Sequence, residues 1–243
     1  PLGIFLSGGI DRSNLALSLN RQNITSNTFS IGFYDKKTNE LNFANEVANV
    51  LKTNHSYKYI NEQECIDNIE SIVGAYDEPF SDPSQIPTYM LCKFVKNKIT
   101  VAISGEGADE LFGGYPRYIN IVNFWNKIKN QPELFTDLME LLSNSFSSSK
   151  YLHLKSIGKK FRKYSHINLD SLYKDEMSRW RPDEKILEKN FFKNSFFEKN
   201  INNKDKIFST FRLLMMRDII TYLPSNLLVK TDRASMSNSL EIR

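Results

Sequence analysis

Two glycine-rich loops carry the residue types that could do chemistry. The first, Ser7-Gly8-Gly9-Ile10-Asp11-Arg12-Ser13, stands between an apolar run and a helical pattern. A helix start presents unpaired N–H groups and a partial positive charge, which suits a phosphate group. Glycines let the backbone turn sharply and approach an anion, and Ser7 and Ser13 supply hydroxyl donors. Asp11 repels phosphate unless it holds Mg²⁺, which then neutralises phosphate oxygens. Taken alone, Ser-Gly-Gly is more often a plain packing turn between strand and helix. It is neither a G-x-x-x-x-G-K-[ST] loop nor a G-x-G-x-x-G fingerprint. The second loop, Ser104-Gly105-Glu106-Gly107-Ala108-Asp109-Glu110-Leu111-Phe112-Gly113-Gly114-Tyr115, sets three carboxylates among four glycines. A helix-capping turn needs fewer acids than this. If the two loops face each other, Asp11 and Asp109 share one Mg²⁺. Glu106 is then left as a general base or as the group that orients an amine.

The elements around these loops must bring them together. Leu2–Ser7, Thr28–Phe33, His55–Ile60 and Thr100–Ser104 read as strands. Asp11–Leu19, Leu41–Leu51, Cys65–Val73 and Thr88–Val95 have helical apolar spacing. Strands alternating with helices predict an α/β fold with a parallel, doubly wound sheet. Ligands of such sheets bind beyond the carboxyl ends of the strands, and strands one and four are expected neighbours. Residues 1–118 are expected to form this layer. Residues 119–243 are expected to be mainly helical, a large helical region following the fourth strand. Ser143–Ser149 reads as a loop, and Lys189–Asn203, polar with paired phenylalanines, as the least patterned stretch.

Composition bounds the setting. The chain has 243 residues, 40% hydrophobic and 25% charged, as an ordinary globular protein does. No apolar run approaches the roughly 20 residues of a membrane span, so no membrane association is expected. With Pro1-Leu2-Gly3 opening directly onto an apolar run, no signal peptide is expected. Cys65 and Cys92 lack metal-ligand spacing and the three histidines are isolated from one another, so neither a disulfide framework nor a zinc site is expected. A reducing, cytoplasmic compartment fits. Net charge is +4, and residues 119–210 hold 17 basic against 11 acidic residues. These lysines are interleaved with acids and apolar residues, as on solvated helix faces, so no nucleic-acid partner is expected. The chain opens at Pro1 on an apolar run and stops at Arg243 inside a continuing motif. We expect it to be a fragment of a longer protein.

The motifs together resemble a known family. Ser7-Gly8-Gly9-x-Asp11 resembles the pyrophosphate loop of N-type ATP pyrophosphatases, and Ser104–Tyr115 resembles the signature of the asparagine synthetase family. Thr28–Phe33, Asp77-Glu78-Pro79-Phe80-Ser81-Asp82-Pro83 with Ile86-Pro87-Thr88-Tyr89, and Leu223–Arg243 are similar to further stretches of that family. The resemblance implies an adenine nucleotide alpha hydrolase-like fold. It also implies an ATP-dependent, Mg²⁺-requiring ligase that adenylates the side-chain carboxylate of aspartate. Ammonia then converts the adenylate to asparagine. On this reading Leu6, Ser7, Gly8, Gly9, Asp11, Ser13, Ile31, Ser104 and Gly105 bind ATP and pyrophosphate. Asp11 and Asp109 hold the metal, and Glu106 with Tyr115 handles protons. The partners implied are aspartate or another carboxylate and ammonia from a glutaminase domain that this chain lacks; a homodimer is compatible.

Asp232 and Arg233 also match the family pattern, as a buried ion pair between helices or as a substrate contact. Asp77, Glu78 and Asp82 either bind the acceptor or order the turns at Pro79 and Pro83. Arg12 stands where the family usually has Ser, and the family's catalytic lysine lies beyond Arg243. Three readings compete with asparagine formation. They are the same chemistry on a sugar, peptide or β-lactam precursor, a non-catalytic ATP-binding module, and an RNA-modifying relative.

Overall fold

The first apolar run becomes β1 (Leu2–Phe5), and the Gly-Gly turn after it opens α1 (Ile10–Arg21). The computed structural model describes residues 1–34, 39–147, 151–166, 168–178 and 209–243. Strand β2 (Asn27–Phe33), helix α2 (Leu41–Leu51) and strand β3 (Asn54–Ile60) follow as the periodicity predicts. The next helix starts earlier than expected and is split into α3 (Glu62–Asp67) and α4 (Ile69–Gly74). Asn61 sets the start, because its side chain accepts from the Glu64 amide while Glu64 reaches back to the Asn61 amide. Helix α5 (Gln85–Val95) takes in Pro87, which its first turn tolerates. Strand β4 (Val101–Ile103) leads into the acidic loop and the short α6 (Ala108–Phe112).

The described part of the region expected to be helical opens with five helices. They are α7 (Pro116–Ile128), α8 (Glu133–Ser147), α9 (Leu152–Tyr164), α10 (Leu169–Met177) and α11 (Thr210–Ile220). The loop expected at Ser143–Ser149 is instead, as far as Ser147, the last turn of α8. Ser143 is buried, and a Cβ placed on Gly158 of α9 would lie 2.8 Å from Ser147 Oγ and 3.1 Å from the Ser143 carbonyl. Close packing on α9 thus overrides the loop preference of the serines. The stretch Lys189–Asn203 lies outside the described residues.

A π-helical turn (Leu223–Leu227) precedes α12 (Leu228–Met236), and a two-residue strand, β5 (Glu241–Ile242), ends the chain. The sheet order is β3-β2-β1-β4-β5 with every pair parallel. Strands β1 and β4 are neighbours, as expected, and the order reverses between them. Alternate residues of β1 enter different cores. Ile4 and the following Leu6 meet Ala16, Ala44 and Ala48 of α1 and α2. Phe5 joins Phe29, Ala102, Met90, Val95, Ala234 and Leu240 on the other face. Burial on both faces is why β1 reads as a continuous apolar run.

Two compact units result: Pro1–Phe112 with Ile219–Arg243, and Gly113–Asp218. This differs from a division at residue 118, because residues 219–243 return to the sheet. The Glu241 and Arg243 amides donate to the carbonyls of Thr100 and Ala102, and the Ser104 amide donates to the Arg243 carbonyl. A two-residue strand is too short to leave a periodic signal. The second unit has its own core of Tyr118, Ile121, Leu172, Tyr173 and Leu214.

Candidate active site

Helix α1 begins without a side-chain cap: Gly9 is its N-cap residue and offers no side-chain acceptor. The N–H groups of the first turn therefore lack the side-chain oxygen that usually satisfies one of them. Gly8 adopts φ +79°. A Cβ there would come within 2.5 Å of Phe43 Cβ and 2.7 Å of the Phe43 carbonyl carbon. Only glycine fits the turn between β1 and α1 where it crosses the start of α2. The Gly9 amide donates to Ser7 Oγ at 3.4 Å. Ser13 Oγ is buried and has no hydrogen-bond partner.

Gly105 brings the second loop against this one. A Cβ on Gly105 would lie 3.0 Å from Arg12 Cγ and 3.5 Å from Asp11 Cβ. Ser104 is tied to the end of the chain through its amide, and its Oγ accepts from the Glu106 amide at 3.4 Å. Glu106 is partly buried and lies between two cations: Arg12 Nη2 at 3.8 Å from Oε1, and Lys230 Nζ at 3.8 Å from Oε2. Lys230 is 6% exposed, and its own carbonyl accepts from the Tyr76 hydroxyl at 3.2 Å. A lysine is buried only where a counter-charge meets it.

Neither glycine-rich loop nor the spacing of the acids points to Lys230. The signal existed, because Leu227, Lys230, Thr231, Ala234 and Ser235 share the buried face of the π turn and α12. A lysine on the inner stripe of a helix is the exception that marks a site.

The remaining expected residues divide between the units. Leu6 directly follows β1, and Ile31 lies in the carboxyl half of β2. The Leu6 amide donates to the Phe29 carbonyl at 2.9 Å, and its carbonyl accepts from the Ser30 hydroxyl. Asp11 and Asp109 are both partly buried, in the first turns of α1 and α6. Tyr115 belongs to the second unit, where its ring lies 3.7 Å from the Arg117 guanidinium and meets Tyr118 edge-on at 5.7 Å. There Asp218, fully buried, accepts from Arg117 at 2.5 Å, from the Tyr118 hydroxyl at 2.5 Å, and from the Tyr173 hydroxyl. Burial opposes the Arg117 charge, but the hydrogen bond and charge of Asp218 outweigh it and hold the guanidinium above its ordinary pKa.

Arg233 does pair, but with Asp77 at 2.6 Å, and both side chains are exposed, so the ion pair is not a buried one. Asp82 orders its turn: Oδ1 accepts from the Ser84 amide at 2.9 Å and hydroxyl at 2.7 Å. Among the described residues no group of three or more His, Cys, Asp or Glu side chains is placed to hold a metal ion. Asp11 and Asp109 are the kind of donor set Mg²⁺ uses, since it takes one or two carboxylates and completes its shell with substrate phosphate and water. The orphaned Ser13 hydroxyl and the uncapped α1 start fit the phosphates themselves.

The family model for asparagine synthase matches residues 1–243. The chain belongs to the asparagine synthase family. It is 29% identical to an asparagine synthetase [glutamine-hydrolyzing] 1 of Bacillus subtilis over 250 aligned residues, all of this chain and 38% of that protein. It is 31% identical to a putative asparagine synthetase [glutamine-hydrolyzing] 2 of Methanocaldococcus jannaschii, over 97% of this chain and 45% of that protein. An asparagine synthetase of Zea mays is 36% identical over 129 residues, 47% of this chain. The chain thus spans less than half the length of these relatives. The parallel sheet with helices on both faces is consistent with the fold expected of the asparagine synthase family.

Proposed function

We propose that this chain is the synthetase part of an ATP-dependent amide-forming ligase whose acceptor is aspartate. The observation that carries the reading is the meeting of the uncapped α1 start with the Glu106 loop, at the carboxyl ends of β1 and β4 where the strand order reverses. Ser7, Gly8, Gly9 and Ser13 hold the β- and γ-phosphates of ATP. Leu6, Ile31, Ser104 and Gly105 flank the adenosine. Asp11 and Asp109 hold Mg²⁺, which when bound offsets the charge of the departing pyrophosphate.

The acceptor carboxylate attacks the α-phosphorus, the bond to the β-phosphate oxygen breaks, and acyl-AMP and pyrophosphate form. Ammonia, supplied by glutamine hydrolysis elsewhere in the intact protein, then attacks the acyl carbon. Glu106 takes the proton that nitrogen loses, and AMP leaves as asparagine forms. For Tyr115, which belongs to the second unit, a proton-handling role rests on the Ser104–Tyr115 pattern alone.

The test is to incubate the intact protein with Mg-ATP, ammonium and L-aspartate and to separate the nucleotides. AMP and pyrophosphate that depend on aspartate are expected. ADP and phosphate would overturn the assignment of the loop. AMP formed only with another carboxylate would keep the chemistry and replace the acceptor.

A further inference from the structure

Arg12 occupies the first turn of α1, one residue from the proposed metal ligand Asp11. Its stem lies across Gly105, so close that a Cβ there would be 3.0 Å from Arg12 Cγ. Its guanidinium lies 3.8 Å from Glu106 Oε1. That distance makes an ion pair but exceeds hydrogen-bond range. The two cations beside Glu106 are held very differently. Lys230 is 6% exposed on α12, whereas Arg12 is 33% exposed on a flexible stem. Pyrophosphate brings several negative charges and a row of acceptor oxygens to the start of α1. A guanidinium binds such oxygens in pairs and prefers them to a single loosely paired carboxylate.

We infer that Arg12 is a positioning residue that changes partner during turnover. Before nucleotide binds it pairs with Glu106. With nucleotide or pyrophosphate bound it turns to the phosphates, and Glu106 is left to Lys230 alone. The inference rests on the adenylation reading of the loop. Its consequence is that one oxygen of Glu106 is released for the incoming nitrogen only when the phosphate site is filled, so that filling one loop prepares the other.

The test is a double-mutant cycle read by calorimetry of magnesium pyrophosphate binding to the intact protein. Glu106→Gln should tighten binding by about threefold to fivefold more when Arg12 is present than in the Arg12→Gln background, the range expected of a partly exposed ion pair. Arg12→Lys should keep part of that coupling. In steady-state assays Arg12→Gln should raise KM for Mg-ATP by about fivefold or more while kcat falls less. Equal tightening in both backgrounds would overturn the exchange and leave Arg12 a structural residue. Failure of the unmodified protein to bind magnesium pyrophosphate would overturn the loop assignment itself, and the exchange with it.

Discussion

Glu106 is 17% exposed and Lys230 6%, so burial makes each the counter-charge of the other. An ammonium that is 6% exposed cannot be left without its counter-charge. Glu106→Gln should therefore cost about 1–3 kcal/mol in urea unfolding, the range for a stranded polar or charged group. The double variant with Lys230→Met should recover part of that loss, because both halves of the pair are then gone. On activity, Glu106→Gln should lower kcat for amide formation by about 100-fold or more while aspartate-dependent ATP–pyrophosphate exchange persists. Loss of exchange to the same extent would move Glu106 into the adenylation step. A second prediction concerns the buried thiol. Burial pushes Cys92 up to about 12, and burial likewise raises the Tyr76 phenol to about 12. The unfolded chain ionises both groups at lower pH than the folded one does. Their contribution is intact below about pH 9 and is lost as pH rises from there toward 12. Thermal melts should show stability falling across that window, with a shallower fall in Cys92→Ala. Iodoacetamide should label Cys92 only after denaturation.

The elements that hold these residues depend on contacts the sequence records unevenly. Gly8→Ala would force a Cβ into the start of α2 at a backbone angle that disfavours side chains. A loss of about 2 kcal/mol or more is expected in denaturant unfolding, together with loss of Mg-ATP binding. Stability unchanged from the unmodified protein would show that the turn relaxes. The βαβ order was legible from the apolar run of β1 and the helical spacing of α1 and α2, and the neighbouring of β1 and β4 from the strand order usual in doubly wound sheets. Three features were not. The start of α3 is set by a reciprocal cap at Asn61 and Glu64, the last turn of α8 by close packing on Gly158, and β5 by pairing with β4. At the site, the acids and glycines announced themselves, but Lys230 is concealed because a lysine in a helical segment ordinarily means a solvated face. Which residues face Tyr115 is likewise not contained in local spacing.

Across the whole molecule, the two compact units carry separate buried anchors. Leu240, 1% exposed, closes the core beneath the sheet, and Asp218 gathers Arg117, Tyr118 and Tyr173 in the helical unit. Leu240→Ala should cost about 2–5 kcal/mol. Asp218→Asn should cost about 3–5 kcal/mol, because the half-buried Arg117 loses its partner charge. Native-state hydrogen exchange should distinguish them. Protection lost in Asp218→Asn should concentrate in residues 113–218, and that lost in Leu240→Ala in residues 1–112 and 219–243. Uniform loss in both variants would mean that the units open as one. The return of the chain to β4 also has a meaning for biosynthesis. At ~5–20 residues per second, the stretch between β4 and β5 takes roughly 7–27 s to emerge from the ribosome. Throughout that interval the nascent sheet presents β4 as a bare edge, open to pairing with any other strand nearby. A pause in translation within residues 104–240 would therefore prolong the exposure of that edge to unintended pairing.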